Sequence, residues 1–318
     1  MVNLKAIREA LGRISGTVHR TPVFSARSLA SMSSVARFDL KCESFQKTGS
    51  FKARGALNKL SQLSAAERAR GVVTVSAGNH AQALAWAAQQ AGVRCTVVMP
   101  ATAVQSKVDA SRGYGADVIQ HGTSMDAFQK AHDLAKSEGF TFVHPFDDDD
   151  IIGGTGTVGL ELLEQTTMPD VVVVPIGGGG LIAGIAVAIK ESSPTTRVIG
   201  VEPAGATVMR QSLDAGHALR VMPEPTIADG LAAPMAGERN FAIVQRYVDD
   251  VVLVSEDEIR HAMQMLLSRC KLVAEGAGAA ATAALLAGRI PIRNTESVVA
   301  ILSGGNVDLA RLSEVAAG

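Results

Sequence analysis

Short, unbroken apolar runs alternate with longer stretches of helical period along most of the chain. Val72-Val-Thr-Val75, Cys95-Thr-Val-Val-Met99, Ala116-Asp-Val-Ile-Gln120 and Phe140-Thr-Phe-Val143 read as strands; Asn79 to Gln90, Val104 to Arg112 and Met125 to Ser137 between them read as helices. The alternation resumes with the strand Val171 to Ile176, the helix Leu181 to Glu191, and the strands Arg197 to Val201 and Val251 to Val254. A helix from Asp257 to Cys270, the strand Val298 to Leu302 and a short terminal helix complete it. Runs of Val and Ile without period-two polarity predict strands covered on both faces. The βα alternation predicts parallel sheets in an α/β fold.

The acidic segment Pro145-Phe-Asp-Asp-Asp-Asp150 reads as a crossover between two α/β units. Its carboxylates predict a solvated loop rather than a metal site, because adjacent carboxylates along a loop rarely converge. The 318 residues, 47 % of them apolar, are enough for two units with substantial cores. Met1 to Glu9 begins an amphipathic helix with charges inside it, unlike a signal sequence. No stretch reaches the ~18 uncharged apolar residues of a membrane span. A soluble, cytoplasmic protein is expected.

Charge narrows the partner. With 30 Lys+Arg against 31 Asp+Glu, the net charge of −1 leaves no footprint for nucleic acid or an anionic membrane. A small molecule is the expected partner. Cys42, Cys95 and Cys270 lack metal-ligand spacing, and the first two sit in strand-like surroundings as small hydrophobes. The seven histidines form no HxxxH or HExxH pair.

Four segments carry candidate chemistry. In Lys47-Thr-Gly-Ser-Phe-Lys52-Ala-Arg-Gly55, Ser50 is an N-cap candidate, which puts Lys52 in the first turn of a helix. There the positive end of the helix dipole disfavours an ammonium ion and favours the free amine that a Schiff base requires. Ser76-Ala-Gly-Asn-His80 follows a strand and opens a helix, so backbone amides with the Ser76 and Asn79 side chains suit a carboxylate; the alternative is an ordinary capped turn. Gly177 to Gly180 likewise join a buried strand to an apolar helix and offer amides to a phosphate. A rival reading takes Gly178-x-Gly180-x-x-Ala183, with Glu202 ending the next strand, as a dinucleotide fingerprint. That rival leaves the lysine segment and the Ser76 to His80 turn without a purpose. In Ser303-Gly-Gly-Asn306, at the carboxyl end of the last strand, Ser303 reads either as a partner for a ring nitrogen or as a cap on the final helix. An amine beside a phosphate cradle suggests pyridoxal phosphate chemistry.

Taken together and in order, these segments resemble the threonine/serine dehydratase and serine racemase family, within the tryptophan-synthase-β-like group of fold type II pyridoxal phosphate enzymes. The motifs are Glu43 to Ala56, Ser76 to His80, Gly177 to Gly180 and Leu302 to Asp308, with Ile227 to Gly230 in support. The resemblance runs from about residue 17 to 310. It implies two three-layer open-sheet domains: residues 1–62 with 148–318 as the large cofactor-binding domain, and 63–147 as a small domain that closes over substrate. It further implies a homodimer and a cofactor, pyridoxal 5'-phosphate, joined to Lys52, which also serves as the base at the substrate Cα. Phe51 would pack near the ring, Asn79 would bond its 3-hydroxyl, Gly177, Gly178, Gly179 and Gly180 its phosphate, and Ser303 its nitrogen. Gly230 and Glu275 match further positions near the cofactor. Ser76, Gly78, Asn79 and His80 would hold the substrate carboxylate. Glu202 and Ala206 match positions of the family's divalent cation (Mg or Mn), with Val208 where some members carry aspartate.

The implied activity is dehydration of an L-3-hydroxy amino acid, such as threonine or serine, to a 2-oxo acid and ammonia. Racemases of this family place a second serine where this chain has Ala77, which disfavours the racemase alternative. Family members usually carry glutamine where Thr155 stands; if that position borders the substrate, 3-hydroxyaspartate, a phenylserine or a hydroxylated ectoine breakdown product stay open. A dinucleotide-dependent oxidoreductase and a non-catalytic pyridoxal phosphate-binding regulator are the alternatives of other classes.

Overall fold

The structure is a computed structural model that describes residues 1–317. Helix α1 (Leu4–Ile14) precedes strand β1 (Val23–Ser25), helix α2 (Arg27–Met32) and strand β2 (Arg37–Cys42). Helices α3 (Lys52–Ser61) and α4 (Ala65–Arg70) lead into β3 (Val72–Val75), α5 (Asn79–Ala91), β4 (Cys95–Met99), α6 (Gln105–Gly113), β5 (Asp117–Gln120), α7 (Ser124–Ser137) and β6 (Thr141–Phe142). Helix α8 (Asp149–Gln165) then reaches β7 (Val171–Pro175), followed by α9 (Gly180–Lys190), β8 (Arg197–Pro203), α10 (Val208–Ala215) and α11 (Glu238–Tyr247). Strand β9 (Asp250–Val254), α12 (Glu256–Met265), α13 (Gly276–Leu286), β10 (Ser297–Leu302) and α14 (Leu309–Ala317) complete the fold.

The strands form two open sheets. One has six strands in the order β1-β2-β10-β7-β8-β9, parallel except for the antiparallel β1–β2 pair. The other has four parallel strands in the order β5-β4-β3-β6. The long Val runs follow from burial on both faces. In β7, Val171 and Val173 pack with residues of α12 and α13, whereas Val172 and Val174 pack with residues of α8 and α9. The four-stranded sheet divides likewise, Val72 and Val97 toward α5, Val73 and Val98 toward α7. Helix α3 buries Ala53, Ala56, Leu57 and Leu60 in the cluster it shares with α5.

Local chemistry sets the helix ends. Asn3 caps α1, and Ser64, Thr123 and Ser255 form capping boxes with Glu67, Asp126 and Glu258. The acidic run is not the solvated loop expected of it. Asp148 caps α8 through the amides of Asp150 and Ile151, Asp147 accepts from the amides opening α11, and Lys59 pairs with Asp148 and Asp150. The 17-residue helix α8 has no counterpart among the elements read from the sequence; its four glycines and β-branched residues disguise a helix that tertiary packing enforces.

One polar cluster crosses this apolar interior. The Arg54 guanidinium of α3 makes two-pronged ion pairs with Glu43, its Nε 2.7 Å from Oε2, and with Glu161 of α8, its Nη1 2.6 Å from Oε1. Lys41 of β2 completes the cluster 2.7 Å from Glu161 and also donates to the Thr21 carbonyl at 2.8 Å and to Gln165. Two cations and two carboxylates balance, and all four side chains are buried. Burial raises the Glu161 carboxyl, but Arg54 and Lys41 outweigh it and hold the group below its ordinary value. Removing one partner leaves an unpaired buried charge. Arg54→Met is expected to destabilise the fold by about 3–5 kcal/mol, read as a lowered urea midpoint at unchanged slope.

Candidate active site

The starts of four helices meet in one cleft of about 600 Å³ at the carboxyl ends of both sheets. Lys52 opens α3, Asn79 opens α5, Gly180 opens α9, and Glu275 caps α13; all four line the cleft. Ligands of open α/β sheets bind at such ends, and each helix start presents amides without intrahelical partners.

Lys52 is held from two directions. The Phe51 amide donates to the Ser303 carbonyl at 3.1 Å, and the Gly305 amide returns to the Gly49 carbonyl at 3.0 Å, so the lysine segment is stitched to the end of β10. Ser50 does not cap α3: it is extended and bridges to Gly304, and Phe51 occupies the cap position without a side-chain bond. Lys52 Nζ donates to the Pro145 carbonyl at 2.8 Å and lies 5.1 Å from the centre of the Phe51 ring. Burial of the ammonium pushes its pKa down to about 8. The direction is the one read from the sequence, and the cause is desolvation of the buried amine.

The glycine loop lies against Phe146. A Cβ at Gly180 would stand 2.8 Å from the Phe146 carbonyl, and one at Gly177 3.1 Å from the Leu231 backbone, while Gly178 faces the Phe146 ring. Gly179, at φ +95°, caps α9 with no side-chain hydrogen bond and leaves the helix start open to a ligand. Thr155 does not border the cleft; it is buried in α8, with Oγ1 2.8 Å from the Gly180 carbonyl.

In the Ser76 to His80 turn, Ser76 Oγ accepts from the Gly78 amide at 3.2 Å, and Gly78 and Ala77 both face the cleft. Asn79 donates to Glu275 Oε1 at 2.6 Å and accepts from Asn306 at 2.8 Å; Asn306 also donates to the Thr48 carbonyl at 2.7 Å. Burial raises the Glu275 carboxyl to about 7 against the opposing Asn79 bond. His80 is buried with neither ring nitrogen hydrogen-bonded, and burial, then Lys52, hold it neutral far below its usual pKa. Ser303 is buried at the end of β10, six residues before the final helix, so of its two readings the helix cap does not hold; its Oγ has only a long contact, 3.4 Å, to the Ala277 carbonyl. Gly230 joins the cleft wall beside Asp229, which pairs across the mouth with Lys107 of α6 at 2.7 Å.

Glu202 and Ala206 lie away from this cleft. Both Glu202 oxygens accept amides opening α10, from Met209 at 2.8 Å and Arg210 at 2.9 Å, and burial raises its carboxyl to about 7. The carboxylate of the dinucleotide reading is therefore spent on a helix start. Among the described residues no group of three or more His, Cys, Asp or Glu is arranged to hold a metal.

The cleft fits pyridoxal phosphate: an amine near neutrality for its aldehyde, an uncapped glycine-lined helix start for its phosphate, and buried Ser303 and His80 with polar atoms to spare. Pro145 and Phe146 are site residues that the sequence placed only in a crossover loop, because their contribution is a carbonyl and a packed ring; Asn306 lay within a candidate segment, but its link between Asn79 and the Thr48 carbonyl is visible only in the fold.

The profile of the pyridoxal-phosphate dependent enzyme family matches residues 14–304. An L-threonine ammonia-lyase of Thermotoga maritima is 45 % identical over 316 residues, covering 99 % of this chain and 78 % of that protein. A catabolic L-threonine dehydratase of Staphylococcus aureus is 44 % identical over 318 residues, covering 99 % and 92 %. Among solved structures, a serine racemase from Dictyostelium discoideum superposes with a TM-score of 0.91 at 39 % identity, covering 97 % of this chain and 99 % of that one. A threonine deaminase from T.th. superposes with a TM-score of 0.90 at 43 % identity, covering 96 % and 99 %.

With the Lys52 pKa near 8, about half of the molecules carry the free amine at pH 8, against roughly one in three hundred at the ordinary lysine value. Lowering pH through 8 adds the proton and removes the nucleophile. Labelling of Lys52 in cofactor-free protein by an amine-selective reagent, followed by peptide mass, is expected to rise with pH around a midpoint near 8.

Proposed function

The chain belongs to the pyridoxal-phosphate dependent enzyme family, and we propose that it is a dehydratase that converts an L-3-hydroxy amino acid, L-threonine foremost, to the 2-oxo acid and ammonia. The observation that carries this reading is the near-neutral amine of Lys52 in one cleft with the open helix start at Gly177 to Gly180. The relatives named ammonia-lyase and dehydratase, matched over nearly the whole chain, support the same reaction.

Pyridoxal phosphate, when bound, withdraws electrons from the substrate Cα and weakens its C–H bond. Lys52 supplies the amine that holds the cofactor and then takes the Cα proton. Gly177 to Gly180 hold the phosphate through backbone amides, and Ser303 serves the ring nitrogen with a neutral hydroxyl. Phe51 supports the ring, Asn79, tied to Glu275 and Asn306, orients its hydroxyl, and Gly230 gives it room. Ser76, Gly78, Asn79 and His80 receive the substrate carboxylate at the start of α5. Across the reaction the Cα–H and Cβ–O bonds break; the water lost at Cβ is regained when nitrogen leaves as ammonia.

Ala77 lines the cleft but has no proton to deliver, so the face of Cα opposite Lys52 is left without a base in this reading. The cations of the cleft are Lys52 and the already paired Lys107, which leaves no free positive charge for a side-chain carboxylate and favours a neutral substrate. Residues 63–147 act as the closing unit; the Lys107–Asp229 pair and the Ser106–Asp308 bond at 3.2 Å span the cleft mouth and would shut it against water. The divalent-cation positions, Glu202 and Ala206, have no part in this scheme. The enzyme acts as a homodimer through the face that exposes Phe24 and Phe45, whose rings lie 6.0 Å apart.

Across a panel of 3-hydroxy amino acids in both configurations, 2-oxo acid release is expected fastest from L-threonine, and Lys52→Ala is expected to abolish it. Activity retained by that variant, or silence of the wild type across the panel, would reject the assignment. Light scattering should give twice the 33.0 kDa chain mass, and Phe45→Glu should shift the species toward monomer.

A further inference from the structure

We infer that helix α8 is the spacer that sets the distance between the Lys52 amine and the glycine loop, with Gly154 and Thr155 as its positioning residues. This rests on the cofactor reading above. Neither residue touches the cleft. Each faces a different element that does.

On one side α8 meets α3, two residues beyond Lys52. A Cβ at Gly154 would lie 2.6 Å from the Arg54 carbonyl and 2.7 Å from Gly55 Cα, and one at Gly55 would lie 2.9 Å from the Ile151 carbonyl. The backbones are in direct contact, and glycine alone permits it. Two turns further along α8, Glu161 holds Arg54 by its two-pronged ion pair, so α3 cannot drift off this surface.

On the other side α8 meets α9 within the same turn. A Cβ at Gly184 would lie 2.5 Å from both the Gly156 amide nitrogen and the Ile152 carbonyl. Thr155 Oγ1 stands 2.8 Å from the Gly180 carbonyl and 3.0 Å from that of Ile152. Gly180 is both the last glycine of the loop and the first residue of α9. A single turn of α8 therefore carries α3, with its amine, on one side and α9, with its anion cradle, on the other. An extra carbon at Gly154 moves the first away; loss of the Thr155 hydroxyl frees the second.

A ligand held at one end does not sense this spacing. A ligand held at both ends does, because its second attachment is intramolecular and its strength depends on reach. Three probes separate the cases in cofactor-free protein: pyridoxal for the amine alone, inorganic phosphate for the loop alone, and pyridoxal phosphate for both together.

Binding titrations of Gly154→Ala and Thr155→Val are expected to weaken pyridoxal phosphate by at least about tenfold, with pyridoxal and phosphate each within about twofold of wild type. Thr155→Ser, which keeps the hydroxyl, should restore the affinity. Should Gly154→Ala fail to unfold cooperatively, the two Thr155 variants decide. The spacer role is overturned if Thr155→Val binds pyridoxal phosphate as wild type does, or if all three probes weaken together. Failure of the wild type to bind pyridoxal phosphate would instead overturn the cofactor reading itself.

Discussion

The buried cluster of Arg54, Glu43, Glu161 and Lys41 is the constraint from which the rest of the architecture follows. It joins β2 of the six-stranded sheet, the turn after it, α3 and α8 at one point that water does not reach. Each cation has a carboxylate within 2.7 Å and each carboxylate has two or more donors, so the charges balance locally. Desolvating four ions is unfavourable unless every one is paired, which makes this geometry close to all-or-none. Lys52 sits two residues from Arg54 on the same helix. The position of the Lys52 amine is thus tied to an electrostatic lock two residues along the same helix.

Above the lock, the cleft is built from dipoles more than from charges. Burial drives three of its side chains toward their neutral forms: the Lys52 amine falls to about 8, the Glu275 carboxyl rises to about 7, and His80 stays uncharged. What remains to receive anions is the set of open helix starts at α5 and α9. Their amides are fixed by the helices behind them and need no reorganisation when an anion arrives. This suits a cofactor that carries its own phosphate and a substrate that carries its own carboxylate. The same scaffold superposes on proteins named racemase and deaminase alike, so the fold by itself does not set the reaction.

Strands β3 to β10 and the helices α5, α6, α7, α9 and α12 among them were legible because buried strands and helices leave different periods in the sequence. Lys52, the Ser76 to His80 turn, the four glycines and Ser303 were legible as motifs, and the fold brings them into one cleft. Helix α8 was not legible, since glycine and threonine are poor helix formers and only the contacts of α1, α3 and α9 explain them there. The acidic run at 147–150 read as solvent-facing charge, yet its carboxylates cap helices and pair with Lys59. Thr155 read as a possible neighbour of the substrate and instead bonds the backbone of the glycine loop from behind.

By itself the sequence determined the α/β class, the order of the strands from β3 to β10, and the segments around Lys52, Asn79, Gly177 to Gly180 and Ser303 that the fold gathers at one cleft. These depend on periodicity and on short motifs, which are local. Only the tertiary structure decided that Lys41 and Glu161, 120 residues apart, share one buried cluster. It also decided that the Pro145 carbonyl meets the Lys52 amine and that one turn of α8 lies between amine and anion loop. Those facts depend on which distant segments are desolvated together, and desolvation is a property of the packed molecule rather than of any stretch of chain.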